Sequence, residues 1–163
     1  MNTLGIDPGT RFTGFSVLHV NSVGKFLLKE AGCLILSEKD PLAARLVKIY
    51  EFLGKKIIES NIRIIALETP FLGKNAQNFL KLGYVRGIIY LVAHQHNVLL
   101  KEYTPKEVKK LVTGFGNAEK DQVARAVKAL FPEIARANTT IRDDITDAVA
   151  ISFCGALEGE NKI

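Results

Sequence analysis

A chain of 163 residues and 18.0 kDa, 47% hydrophobic and 24% charged, has the size and balance of one globular domain with a single substantial core. Its two cysteines, Cys33 and Cys154, are far apart and lack ligand-like spacing, which excludes a disulfide framework or a zinc site and favours a reducing compartment. No secretory signal fits the N-terminus, where Asp7, Pro8 and Arg11 interrupt any apolar stretch, and no uncharged apolar run approaches the ~20 residues of a membrane span. A cytoplasmic protein is expected. The net charge of +5 is unevenly distributed: from Phe71 to Arg142 there are twelve Lys and Arg against five acidic residues. Such a basic middle is either a set of solvated helix faces or a surface for a polyanion.

In chain order, Thr3 to Asp7 reads as a short buried strand ended by the Pro8-Gly9 turn, and Thr13 to Val20 and Lys25 to Leu36 as two more. An antiparallel meander is the natural assembly. Asp40 is expected to cap a helix with Pro41 at its first position, running to about Ser60. Ile62 to Glu68 is a hydrophobic strand, and about Ala76 to Gln95 a second long helix. Val98 to Tyr103 is the last strand, and Thr104-Pro105-Lys106-Glu107 has the parts of a capping box. A glycine-bearing loop, Gly114 to Asn117, leads to a helix from Ala118 to Phe131. Pro132 to Asn138 reads as irregular, and a final helix runs from near Thr140 to Leu157. Three hairpin strands followed by alternating helices and strands describe a mixed sheet covered by helices. The expected domain is residues 1–158, with 159–163 a short tail.

Four carboxylates stand where core-forming segments give way to solvent: Asp7, Glu68, Asp144 and Asp147. Asp7 closes a strand before a turn in which Gly9 and Gly14 would let a phosphate or metal approach the backbone. Glu68 ends a strand at the carboxyl edge, where ligands bind in α/β architectures. Asp144 and Asp147, at i and i+3, share one helix face, while Asp143 has capping-box spacing from Thr140. Taken singly, each has a plain structural reading: a turn hydrogen bond for Asp7, an ion pair for Glu68, compensation of the helix dipole for the last cluster. Together they suit divalent cations, because gathered acids repel unless a cation holds them. Mg²⁺ prefers a few carboxylates, water and substrate phosphate, and two such ions ~3.5–4 Å apart can drive in-line displacement at phosphorus. His94 and His96, at i and i+2, diverge on a helix and offer no zinc alternative.

The same residues carry a resemblance. Gly5-Ile6-Asp7-Pro8-Gly9-Thr10-Arg11-Phe12-Thr13-Gly14, Glu68-Thr69-Pro70-Phe71 and Gly73-Lys74-Asn75-Ala76 resemble the RuvC family of Holliday-junction resolvases. So do Leu80-Lys81-Leu82-Gly83 with Arg86-Gly87, Gly116-Asn117-Ala118-Glu119-Lys120 and Asp144-Ile145-Thr146-Asp147-Ala148. The match is ordered, spans residues 3 to about 157, and is specific as a set. It implies an α/β, ribonuclease H-like fold with a mixed five-stranded sheet flanked by helices. It also implies a homodimer that cuts four-way DNA junctions with Mg²⁺, using two ions per active site with Mn²⁺ as a possible substitute. The family's catalytic, metal-holding acids fall on Asp7, Glu68, Asp144 and Asp147, with Asp7 bridging both ions. Its basic positions near the phosphates fall on Lys109 and Lys120, and its aromatic residue near the crossover on Phe71. Lys74, Asn75, Lys81 and Arg86 complete the expected DNA-binding set. Paired symmetric cuts leaving 5′-phosphate and 3′-hydroxyl ends, and work beside a RuvA and RuvB branch-migration complex, follow from the same resemblance.

Three other readings stay open at this stage. Asp7-Pro8-Gly9-Thr10 also matches a phosphate loop of the actin and hexokinase fold, although this chain has no room for a second such domain. A junction-binding module without catalysis gives no reason for four carboxylates. A nuclease of the same fold acting on RNA or another branched substrate would use the same acids. On the second long helix, Gly83 and Gly87 admit a close backbone, either that of a dimer partner or of this chain's own sheet, with Tyr84, Ile88 and Leu91 beside them.

Overall fold

The computed structural model describes residues 1–70, 75–136 and 143–160. Phe71, Lys74, Thr140 and Arg142 therefore lie outside the described residues. Three strands, β1 (Asn2–Asp7), β2 (Phe12–Val20) and β3 (Phe26–Ile35), form the expected antiparallel meander. Helix α1 (Leu42–Glu59) leads to β4 (Ile62–Glu68), which pairs in parallel with β1. Helix α2 (Ala76–Gln95) leads to β5 (Leu99–Tyr103), parallel to β4. The spatial order β3-β2-β1-β4-β5 is the mixed five-stranded sheet anticipated above. Helices α3 (Pro105–Thr113), α4 (Lys120–Leu130), α5 (Pro132–Arg136) and α6 (Asp143–Glu160) complete the described chain.

Alternation along the strands divides the molecule into two cores. Leu4 and Ile6 of β1 and Ile65 and Leu67 of β4 face α1 and α2, where Ile49, Leu53, Val85, Ile89 and Val92 meet them. On the opposite side, Leu18 and Ala66 pack with Val108, Val112, Val123 and Val127 of α3 and α4 and with Val149 to Ile151 of α6. Helix α6 is thus a central buried element rather than a surface one.

The helix ends show where local chemistry departed from expectation. Asp40 does not cap α1. Pro41 occupies the cap position in extended backbone (φ −54°, ψ 150°), and the Asp40 carboxylate instead accepts from Lys48 Nζ at 2.6 Å. The Thr104–Glu107 capping box forms as anticipated, with the Glu107 amide donating to Thr104 Oγ1 at 3.2 Å and the Thr104 amide to Glu107 Oε2 at 2.7 Å. Helix α4 starts at Lys120 rather than Ala118, because Ala118 is drawn into the core and the Glu119 amide donates to Gln122 Oε1 at 2.7 Å. Residues 132–136, expected to be irregular, form the short helix α5; Pro132 suits a first helical position and Ile134 anchors the turn in the core. Helix α6 reaches Glu160, past the anticipated domain boundary at 158.

Candidate active site

Strand register sets the first two acids side by side. Ile6 of β1 lies opposite Leu67 of β4, so one further residue along each strand brings Asp7 beside Glu68 at the carboxyl edge of the sheet. Across β1 the partner of Asp7 is Gly14 of β2. A Cβ built on Gly14 would lie 2.0 Å from the Asp144 carbonyl oxygen, so the absent side chain admits the first turn of α6. The same holds further along the contact. A Cβ on Gly5 would lie 2.2 Å from the Ala148 carbonyl oxygen, and one on Gly155 would lie 2.8 Å from both Ala66 and Thr3. Ser16 donates to the Ala148 carbonyl at 2.8 Å and pairs with the Ser152 hydroxyl at 2.7 Å, satisfying two buried polar groups. Glycines and serines thus let α6 lie close on β1 and β2, and this closeness delivers Asp144 and Asp147 to the strand ends. Gly14 was expected to open the turn to a ligand; it sits within β2 and opens the sheet to a helix. The turn itself is held by Thr13, whose hydroxyl donates to the Gly9 carbonyl at 2.8 Å.

The charges of the other three acids all act on Asp7. Burial, followed by the charges of Asp147, Asp144 and Glu68, pushes the Asp7 carboxyl up to about 7, with Lys120 pulling the other way. Burial and then Asp147 raise Glu68, opposed by Lys109 and Lys120. Asp147 is raised by burial and by Asp143 and Asp144, against the pull of Lys120. Among the described residues no ion pair takes the Glu68 carboxylate, whereas Asp147 lies 3.2 Å from Lys120 Nζ.

Two adjoining clefts share Glu68. One, of about 280 Å³, is lined by Glu68, Pro105, Lys109, Lys120 and Asp147. The other, of about 150 Å³, is lined by Asp7, Pro8, Glu68, Thr69, Pro70 and Arg86. The carboxylates stand along these clefts rather than around one point; among the described residues no three His, Cys, Asp or Glu side chains converge as ready ligands. The donor chemistry nonetheless fits a hard divalent cation. All the donors are carboxylate oxygens, and burial first and then like charge hold the carboxyls of Asp7, Glu68 and Asp147 above their ordinary range, a cost that a bound cation relieves.

The remaining expected site residues divide. Lys109 and Lys120 join the acids. Asn75 is exposed and its side chain caps α2, accepting from the Asn78 amide at 3.0 Å. Lys81 is exposed on α2 and lines neither cleft. Arg86 is the correction: it is buried rather than offered to DNA phosphate. Its guanidinium donates to the Glu68 carbonyl at 2.7 Å and is ion-paired to Glu102. A buried guanidinium needs such partners, and here they fix the backbone that carries Glu68. Sequence reasoning missed Glu102 and the close-packing residues Gly5, Ser16, Ser152 and Gly155. The spacing of Ala148, Ser152 and Gly155 along one helix face was the available signal for the latter.

Comparison with known proteins gives this geometry a family. The model of the family described as crossover junction endodeoxyribonuclease RuvC matches residues 3–155. A RuvC from Chloroherpeton thalassium is 41% identical over 155 residues, covering 95% of this chain and 81% of that protein. Another, from Syntrophotalea carbinolica, is 40% identical, covering 96% of this chain and 94% of the relative. The structure of Thermus thermophilus RuvC in complex with Holliday junction substrate superposes with a TM-score of 0.87 at 25% identity, covering 99% of this chain and 96% of that one. The ribonuclease H-like fold and the nuclease activity expected from the sequence stand on these matches. The chain belongs to the RuvC family of crossover junction endodeoxyribonucleases.

Proposed function

We propose that this protein resolves Holliday junctions by paired, symmetric, Mg²⁺-dependent cleavage of phosphodiester bonds during DNA recombination and repair, leaving 5′-phosphate and 3′-hydroxyl ends. The observation that carries the reading is that β4 and α6 bring Glu68, Asp144 and Asp147 to Asp7, whose carboxyl is pushed up to about 7 by burial first and then by their charges. Asp7, Glu68, Asp144 and Asp147 would hold the ions, two per site, with Mn²⁺ an acceptable substitute. When bound, divalent metal activates the attacking water and stabilises charge on the leaving oxygen. The chain's own residues do the rest. Lys109 and Lys120, on the wall of the larger cleft, neutralise phosphate oxygens of the strand to be cut. Arg86 holds the Glu68 backbone in place, and the close seat of α6 on Gly5 and Gly14 fixes the position of the two α6 acids.

A homodimer is part of the reading. Gly83 and Gly87 themselves do not pack on this chain's sheet, a task taken by Val85, Ile89 and Val92; among the described residues nothing lies within 4 Å of a Cβ built on either glycine. Leu80, Tyr84 and Leu91 are exposed alongside, so a second copy would find an apolar face open to close approach. A two-fold dimer presents two equal sites to a nearly symmetric junction. Cytoplasmic action beside RuvA and RuvB belongs to the same reading; no helix among the described residues is long and apolar enough to cross a membrane.

Incubating the protein with a synthetic immobile four-way junction in Mg²⁺, beside an EDTA control and linear duplex and RNA substrates, tests this. Symmetric nicks in the junction alone, and only with Mg²⁺, are expected. Cleavage in EDTA, or equal cutting of duplex or RNA, would contradict it.

A further inference from the structure

Lys120 is the first residue of α4, whose entry is fixed by the Glu119–Gln122 bond and whose buried Val123 and Val127 lock it into the core. Its ammonium reaches across to α6 and lies 3.2 Å from Asp147 Oδ2 and 3.2 Å from Asp143 Oδ2. Asp147 is the acid whose charge acts on both Asp7 and Glu68. The ammonium therefore sits at the carboxylate that links the two halves of the cluster. We propose that Lys120 is an internal counter-ion, holding a cation position at Asp147 in the metal-free enzyme and giving it up when divalent metal binds. This rests on the metal-dependent reading above and adds to it an exchange between one of the protein's own charges and the ion.

Three features make the exchange physical. Lys120 is tied at its backbone but its side chain remains 60% exposed, so the flexible stem can withdraw without disturbing the core. Asp143, 77% exposed and not part of the inner acid group, offers a resting partner on the outer side. A divalent ion presents twice the charge of the ammonium to Asp147 and prefers the same oxygen donors. A displaced Lys120, still at the rim of the cleft, is then available to a substrate phosphate. Metal and DNA binding become coupled, because each favours the state in which the ammonium has left Asp147.

General electrostatics is the competing explanation, since removing any nearby lysine makes the site more negative. Lys109 supplies the control. It lines the same cleft and its charge acts on Glu68, yet among the described residues it forms no ion pair with a carboxylate. Calorimetric titration of Mg²⁺ into metal-free wild type, Lys120→Met and Lys109→Met, without DNA and at fixed ionic strength, separates the two accounts. Displacement predicts Mg²⁺ binding about tenfold tighter in Lys120→Met and changed by about twofold or less in Lys109→Met, a difference within the usual range of coupling between two sites. Lys120→Arg, which keeps the charge, should stay near wild type. A second readout uses Ca²⁺ in place of Mg²⁺: junction affinity should rise with Ca²⁺ in wild type, and rise less in Lys120→Met. Equal tightening in both methionine variants, or no tightening in Lys120→Met, would overturn the counter-ion role while leaving the metal reading intact. Absence of saturable Mg²⁺ binding in wild type and every variant would overturn both.

Discussion

On the face covered by α1 and α2, strands β1 and β4 present Leu4, Ile6, Ile65 and Leu67, all fully buried. On the face under α6, the alternate positions of the same two strands are Gly5, Asp7, Ala66 and Glu68. The first face is filled by large aliphatic side chains that hold helices off the sheet and contribute most through apolar area, about 25 cal/mol per Å² buried. Where α6 crosses, the second presents mainly small side chains, with Thr3 and Ile64 against Gly155. Its small residues let a helix backbone come almost into contact, and stability there is traded for the placement of acids. Consecutive residues of one strand thus serve opposite ends, and substitutions on the two sides should fail in different ways.

The largest effect belongs to Asp7. Asp7→Asn should lower junction cleavage by on the order of 10³-fold or more while leaving junction binding in place, read by single-turnover cleavage and gel shift. Gly14→Ala comes next. The added carbon would collide with the Asp144 backbone, so α6 must shift at its first turn, and a displacement on the order of 1 Å costs about 10²-fold in rate. The same variant should lose about 1–3 kcal/mol of stability through overpacking, measured by urea unfolding. On the other face, Ile65→Ala should cost more stability, about 2–5 kcal/mol, yet retain near-normal cleavage at temperatures where it stays folded. Equal rate losses in Gly14→Ala and Ile65→Ala would erase the distinction between the faces.

A smaller effect follows from the raised carboxyls. Between the ordinary carboxylate range and about 7, the folded protein binds more protons at Asp7 than the unfolded chain does. Metal-free stability should therefore fall as pH rises from about 4 to about 7 and level off above, with Glu68 and Asp147 adding in the same direction. Asp7 alone should account for on the order of 2–4 kcal/mol across that window. Asp7→Asn should flatten the profile and, above pH 7, be more stable than wild type in EDTA. An unchanged profile would mean that Asp7 is not crowded as described.

Much of this second face was legible in the sequence because its acids end strands and helices at places where structure changes. Asp7, Glu68, Asp144 and Asp147 could be named from spacing and position, and the alternation of strands gave the sheet. What escaped is what depends on contacts between distant segments. Gly14 looked like part of a ligand-binding turn, since nothing local shows that α6 returns to lie on it. Arg86, on helix α2, looked like a phosphate ligand because its partner, Glu102, is on strand β5 with no periodic relation to it. Asp40 had the position of a cap but was claimed by Lys48, two turns further along. Thr104 and Glu107, three residues apart, form the expected capping box, whereas what meets Gly14 and Arg86 comes from other elements.

Anomalous diffraction from crystals soaked in Mn²⁺ tests the central claim most directly, because it reports where a divalent ion sits without reference to activity. Density flanked by Asp7 and Glu68 on the strands and by Asp144 or Asp147 on α6 is the result this account predicts. Mn²⁺ bound elsewhere on the protein, with those four carboxylates free of it at saturating concentration, would contradict it.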